Sequence, residues 1–161
     1  SLSTVSRGLM KLRAAAANNI LKFLGLTNTH FSPSIFSSLF ENCREAKPLF
    51  GFHLDMDPSC EKMKSSTRFV QHAKYLIQML DRALNMLGPD AELLAEILTD
   101  LGKKHARIGV ETYMFPIMGE ALVQKLRENL GSRCFTLDVE QAWNKVYEAM
   151  TVAMIDAMET E

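Results

Sequence analysis

Residues 101–110 read Leu-Gly-Lys-Lys-His-Ala-Arg-Ile-Gly-Val, and this stretch settles the fold class. Leu101 and His105 stand four apart, and Leu94, Ile97 and Leu98 upstream continue the same steps of three and four, the spacing of one apolar helix face. Asp90 precedes the pattern as a candidate cap, and Gly109 breaks the chain after it. A histidine therefore closes the apolar stripe of a helix that ends in a glycine corner.

Upstream, a second and stronger pattern runs from about Ser65 to Leu87, with Phe69, His72, Leu76, Met79, Leu80, Ala83, Leu84 and Leu87 on one face. Gly88-Pro89 ends it. Two consecutive helices thus each carry one histidine on an apolar face. Earlier still, Gly8 to Gly25 places Met10, Ala14, Ala17 and Leu21 together, and Thr27 to His30 reads as a turn. Ser32-Pro33 then opens a helix with Ile35, Phe36, Leu39 and Phe40 inward. A short turn follows through Pro48, Leu49 and Phe50, and Gly51 to Cys60 reads as a loop. Downstream, a long helix leads to Leu130-Gly131 with Pro116 near its start, and a last helix capped near Thr136 carries Val139, Trp143, Tyr147, Met150 and Met154. Strand-type alternation and internal repeats are missing, so the expected class is all-α.

The chain has 161 residues, 47% of them hydrophobic, enough for one domain over residues 1–161 with residues 1–7 as a short extension. A start at Ser1 without Met also fits a domain cut from a longer protein. Eighteen Lys and Arg against 19 Asp and Glu give a net charge of -1, which offers no electrostatic footprint for nucleic acid. Three cysteines, Cys43, Cys60 and Cys134, are too few for a disulfide scaffold, and no apolar run is long enough to span a membrane. A cytoplasmic protein is expected. No nucleophile elbow, phosphate loop or HExxH helix is present, so enzyme classes built on them are excluded and a non-enzymatic role is expected.

A lone histidine on an apolar helix face is more often a core residue than a ligand. The pair is different. His72 and His105 on consecutive helices can lie across a flat apolar slot, and two opposed imidazoles in such a slot suit haem iron.

Over roughly Gly8 to Met158 the chain resembles the globins, and most closely their neuroglobin-like members. Leu101 to Val110 is similar to the end of the globin F helix and the corner after it. The likeness continues through Phe115, Gly119-Glu-Ala-Leu122, Leu130-Gly131, Phe135-Thr136, Ala142-Trp143 and Tyr147. Pro48-Leu49-Phe50 is similar to the turn whose phenylalanine packs on the haem, and Phe36 falls where the family places a distal aromatic. Phe50 stands 22 residues before His72, which sets His72 at the distal histidine. The resemblance implies a globin fold of seven to eight helices around one haem b, with His105 as proximal iron ligand and His72 as distal ligand. It implies further haem contacts from Phe36, Phe50, Tyr75, Leu76, Leu101, Val110, Phe115 and Tyr147.

Chemistry adds expectations of its own. The second ring nitrogen of His105 needs a partner, and a backbone carbonyl near Leu101 is the natural one. Arg107, Lys104 and Tyr75 are candidates for the haem propionates, or plain solvated groups. The chain departs from the family in three places: Leu21 stands near the usual first-helix tryptophan, Tyr75 where a lysine is usual, and Leu76 where a valine is usual. The bulkier Leu76 should crowd an external gas. Met79, Met114, Met118, Met150 and Met154 lie at core spacing. Cys43 and Cys60 flank the Phe50 loop and could form a disulfide, with free thiols the expectation in a reducing cell. Asp55-Met56-Asp57-Pro58 reads as a turn, and His30 and His53 as surface residues.

The leading expectation is a bis-histidyl, six-coordinate haem protein in gas sensing or redox exchange, with O2, NO or CO as ligands and a redox protein as partner. The alternative is a five-coordinate oxygen-storage protein in which His72 donates a hydrogen bond to bound oxygen. Nitric-oxide dioxygenation would need an electron source this chain does not carry, and a haem-free interaction module would have no use for the His105 motif.

Overall fold

The computed structural model describes residues 31–86, 88 and 90–160. The expected helix over Gly8 to Gly25, the turn to His30, and the positions of Leu87 and Pro89 lie outside these residues. Among the described residues all regular structure is helical: α1 (Phe31–Asn42), a 3-10 helix (Arg44–Phe50), α2 (Glu61–Lys64), α3 (Thr67–Met86), α4 (Ala91–Arg107), α5 (Met114–Cys134) and α6 (Leu137–Glu159).

Most boundaries fall where the sequence puts them, with informative differences. α1 is already helical at Phe31, so Ser32 lies within it, and Pro33 is the third of its described residues. Proline is tolerated there because first-turn N–H groups have no partner within the helix. Pro116 likewise lies third in α5. The Pro48 turn is the end of the 3-10 helix, closed by Gly51 at φ +79°. Asp90 does precede α4, but its side chain makes no cap bond; its backbone carbonyl accepts from Leu94 N at 2.9 Å. Thr136 does cap α6, its side chain accepting from Val139 N at 3.4 Å. Gly131, at φ +69° and ψ 168°, ends the regular part of α5 at Leu130.

Among the described residues the buried apolar side chains form two clusters. The larger joins α3, α4, α5 and α6 through Ile77, Leu80, Leu84, Leu94, Leu98, Leu122, Leu126, Trp143, Val146 and Met150. The smaller joins α1, the 3-10 helix, α2 and the start of α3 through Phe36, Leu39, Phe40, Met63, Phe69 and Ala73. Leu76, Val110 and Met118 pack against both clusters. The junction they mark is where the two histidine-bearing faces meet.

On α3 the fully buried residues are Phe69, Ala73, Ile77, Leu80, Ala83 and Leu84. Ala73 and Ile77 were not on the expected stripe, and His72, Leu76 and Met79 lie on a half-buried flank beside it. The apolar arc is wider than one row because α3 packs on α1 with one side and faces the junction with the other. On α4, Leu94 and Leu98 are buried as expected, and so is Gly102. A Cβ on Gly102 would run into the Met154 carbonyl oxygen and reach 2.9 Å from the Met154 Cα. Glycine here lets α4 cross α6 backbone to backbone, which fixes the helix that ends in His105.

Candidate functional site

His105 lies in the last turn of α4, half-buried. Its Nδ1 is 2.7 Å from the carbonyl oxygen of Leu101, one turn back. A carbonyl only accepts, so Nδ1 carries the proton and Nε2 keeps the free lone pair. The ring of Phe115, in the first turn of α5, stands 5.6 Å from the imidazole at 60°. One directional bond and one ring thus set the attitude of His105.

His72 lies on the flank of α3 and is held by rings. Phe36 approaches it edge-on at 5.3 Å and Phe50 at 5.2 Å. Behind them Phe40, Phe52 and Phe69 continue the set, with Phe40 to Phe50 at 5.3 Å, Phe36 to Phe69 at 5.8 Å and Phe52 to Phe69 at 6.2 Å. Such edge-to-face pairs contribute about 0.5–1.5 kcal/mol each beyond area burial. Burial lowers the pKa of His72 below the ordinary imidazole value, and the nearby His105 lowers it further. The neutral imidazole that results is the form that ligates a metal.

The loop behind Phe50 is tied down by a residue the sequence did not single out. Lys47, only 5% exposed, donates from Nζ to the carbonyls of Leu54 at 2.9 Å and Met56 at 2.8 Å. A lysine is rarely buried, and here two carbonyls accept its protons. Phe52 N donates back to Lys47 O at 3.2 Å, so residues 47–56 close on themselves. No sequence signal announced this. Gly102 and Gly119 did carry one, since glycine inside a helical pattern weakens it by about 1 kcal/mol relative to alanine and calls for a packing reason.

The other expected site residues are distributed as follows. Phe36 is buried, Phe50 and Leu101 are half-buried, and Leu76 and Val110 wall the junction of the two clusters. Tyr147 packs against the larger cluster, and its hydroxyl is taken by the Phe115 carbonyl at 2.7 Å. Tyr75, 56% exposed, points its surface to solvent, as do Lys104 and Arg107. Met114, Met150 and Met154 are buried in the core, and Met79 and Met118 pack against it. Cys43, Cys60 and Cys134 are free thiols; burial, together with Glu45, raises the pKa of Cys43. Asp57 makes a turn by accepting from Ser59 N and Oγ, both at 2.8 Å, while Asp55 pairs with Arg44 at 2.7 Å.

The donor set fits an iron porphyrin. One imidazole presents a free Nε2 with its Nδ1 engaged, a second neutral imidazole stands on the facing helix, and the surrounding wall is aromatic and aliphatic.

The chain is similar to known proteins in sequence and in fold. Residues 33–154 match the model of the globin family. A neuroglobin-2 of Oncorhynchus mykiss is 32% identical over 131 residues, covering 81% of this chain and 80% of that protein. A neuroglobin of Danio rerio is 32% identical over 120 residues, 74% of each. Among solved structures, a globin of Drosophila melanogaster superposes with a TM-score of 0.73 at 19% identity, over 94% of this chain and 93% of that one. A hexacoordinated haem protein of an anhydrobiotic tardigrade, at pH 4, gives 0.78 at 18% identity over 95% and 94%. At those identities the two structures speak for the fold alone.

Proposed function

The chain belongs to the globin family, and from that premise we propose that it holds one haem b between His105 and His72, both ligating the iron at rest. The family is one of haem proteins that bind diatomic gases and are in general not enzymes. The observation that carries the finer reading is the pairing of a His105 imidazole fixed through Leu101 with a half-buried His72, kept neutral by its desolvation, on the facing helix.

Bound there, the haem supplies reversible gas ligation and one-electron exchange. The chain's own residues decide how that chemistry is used. His105 presents Nε2 in one orientation because its Nδ1 proton is engaged. Phe36, Phe50, Leu76, Leu101, Val110 and Phe115 keep water away. With haem bound, His72 would compete with a gas for the iron, and the bulk of Leu76 would add to the crowding beside it. The exposed Tyr75, Lys104 and Arg107 would be the polar groups available to the propionates of a bound haem. A protein whose own histidine blocks the gas position suits sensing of O2 or NO, or electron exchange with a redox protein, better than bulk oxygen carriage. The reading extends to a single domain over residues 1–161 working in the cytoplasm; no described helix is long and apolar enough to cross a membrane.

The deciding measurement is the visible spectrum of the reduced, gas-free holoprotein beside His72→Ala and His105→Ala. Split low-spin bands that turn into one broad high-spin band in His72→Ala are expected, with His105→Ala losing haem on gel filtration. A broad high-spin band already present in the wild type would replace this reading with five-coordinate oxygen storage.

A further inference from the structure

We propose that Tyr147 is a positioning residue for the His105 imidazole, acting through Phe115 and not as a wall of the pocket. The inference rests on the reading of His105 as iron ligand.

Three contacts form the chain of action. The Tyr147 hydroxyl, from the middle of α6, donates to the Phe115 carbonyl at 2.7 Å. Its ring is seated on Gly119, where an added Cβ would come within 2.5 Å of Cε1 and 2.8 Å of Cδ1. The Phe115 ring in turn stands 5.6 Å from the His105 ring. Gly119 is buried in the interior of α5, and the seating of this ring is the packing reason for its presence.

The start of α5 depends on this outside support. Phe115 N reaches Thr112 O only at 3.3 Å, and Pro116 has no N–H to donate. A carbonyl has two lone pairs, so Phe115 O accepts the phenol without giving up a helical bond. Burial raises the phenol pKa, which keeps it a donor at any physiological pH. Tyr147 therefore sets where Phe115 sits, and Phe115 limits rotation of His105 about the axis that the Leu101 bond leaves free.

The test is resonance Raman spectroscopy of the iron–histidine stretch in the reduced, gas-free holoprotein. His72→Ala serves as background, so that His105 is the protein ligand read. Tyr147→Phe keeps the ring on Gly119 and removes only the hydroxyl. The band is expected to broaden and shift, and haem to pass to an excess of a haem-acceptor protein about twofold to tenfold faster, the range one buried hydrogen bond supports. Phe115→Leu is expected to give a similar shift, and Tyr147→Phe added to it no further one. A band unmoved by Tyr147→Phe while the thermal midpoint falls would overturn the proposal and leave Tyr147 a packing residue. Additive shifts would overturn the route through Phe115. An iron–histidine band missing from His72→Ala itself would instead overturn ligation by His105, and the proposal with it, so the two failures are told apart.

Discussion

The two histidines are held by different physics. His105 is oriented by a directional bond at 2.7 Å on a helix whose crossing with α6 is fixed by Gly102. His72 is surrounded by ring edges at 5.2 and 5.3 Å, contacts that are strong in sum and weak in direction. A hydrogen bond fixes an angle, whereas ring packing fixes a volume. One imidazole is therefore fixed in direction and the other in position, a difference that the proposed exchange of His72 for a gas calls for.

The largest way to break this comparison is Gly102→Ala. Helix propensity alone favours the change by about 1 kcal/mol. The added methyl, however, meets Met154 backbone, which cannot rotate away, so α4 has to lift from α6. A net loss of about 1–3 kcal/mol is expected in urea unfolding of the holoprotein, with faster haem loss because His105 moves with its helix. A gain in stability would mean that the crossing is not tight and the rigid side is not rigid. Next in size is Lys47→Met on the distal side. It leaves the Leu54 and Met56 carbonyls without their donor, at about 1–3 kcal/mol. Hydrogen exchange over residues 47–56 should speed up while α4 keeps its protection; equal loosening of both would erase the difference between the sides.

How much of this was legible in the sequence follows the same division. Periodicity exposed the long helices and both histidines, because apolar spacing reports which face is buried, whereas the short helices Arg44–Phe50 and Glu61–Lys64 are too brief to carry a period. The Leu101 partner was legible too, since an imidazole near the end of a helix finds a carbonyl four residues back. On α3, Phe69, Leu80, Ala83 and Leu84 are buried as expected, while Ala73 and Ile77 were missed and His72, Leu76 and Met79 lie on a half-buried flank, because periodicity cannot tell a flank that faces a pocket from one that faces a neighbouring helix. Lys47 escaped altogether: its burial depends on a loop folding back over it, a long-range event that no local pattern encodes. Asp90 has the right residue type at the right position, yet makes no cap bond, as local preference does not guarantee the rotamer.

Phe50→Leu tests the ring packing itself. It keeps an apolar side chain but removes the edge contacts to Phe36, Phe40 and His72. A loss of about 1–2 kcal/mol is expected, because leucine keeps part of the packing that the rings provide, with gas binding to the reduced protein becoming faster as His72 is held less well. An unchanged rate would show that His72 is restrained by something other than the rings.

The smallest effect expected is a pH dependence of the apoprotein. In the unfolded chain His72 titrates near the ordinary imidazole value of about 6.5, and in the fold its pKa is lower because burial penalises the charged form. Between the two values the unfolded chain binds more protons, so stability rises with pH across that window. The contribution of a neutral, half-buried His72 is complete above the ordinary value, is lost as pH falls through it, and levels off below the folded value. Urea midpoints at pH 7.5 and 5 should therefore differ by less in His72→Phe, which fits among the same rings without a titrating group, than in the wild type. Identical differences in the two proteins would place His72 in water at rest, and the distal side would then be an open one and not a ring-packed one.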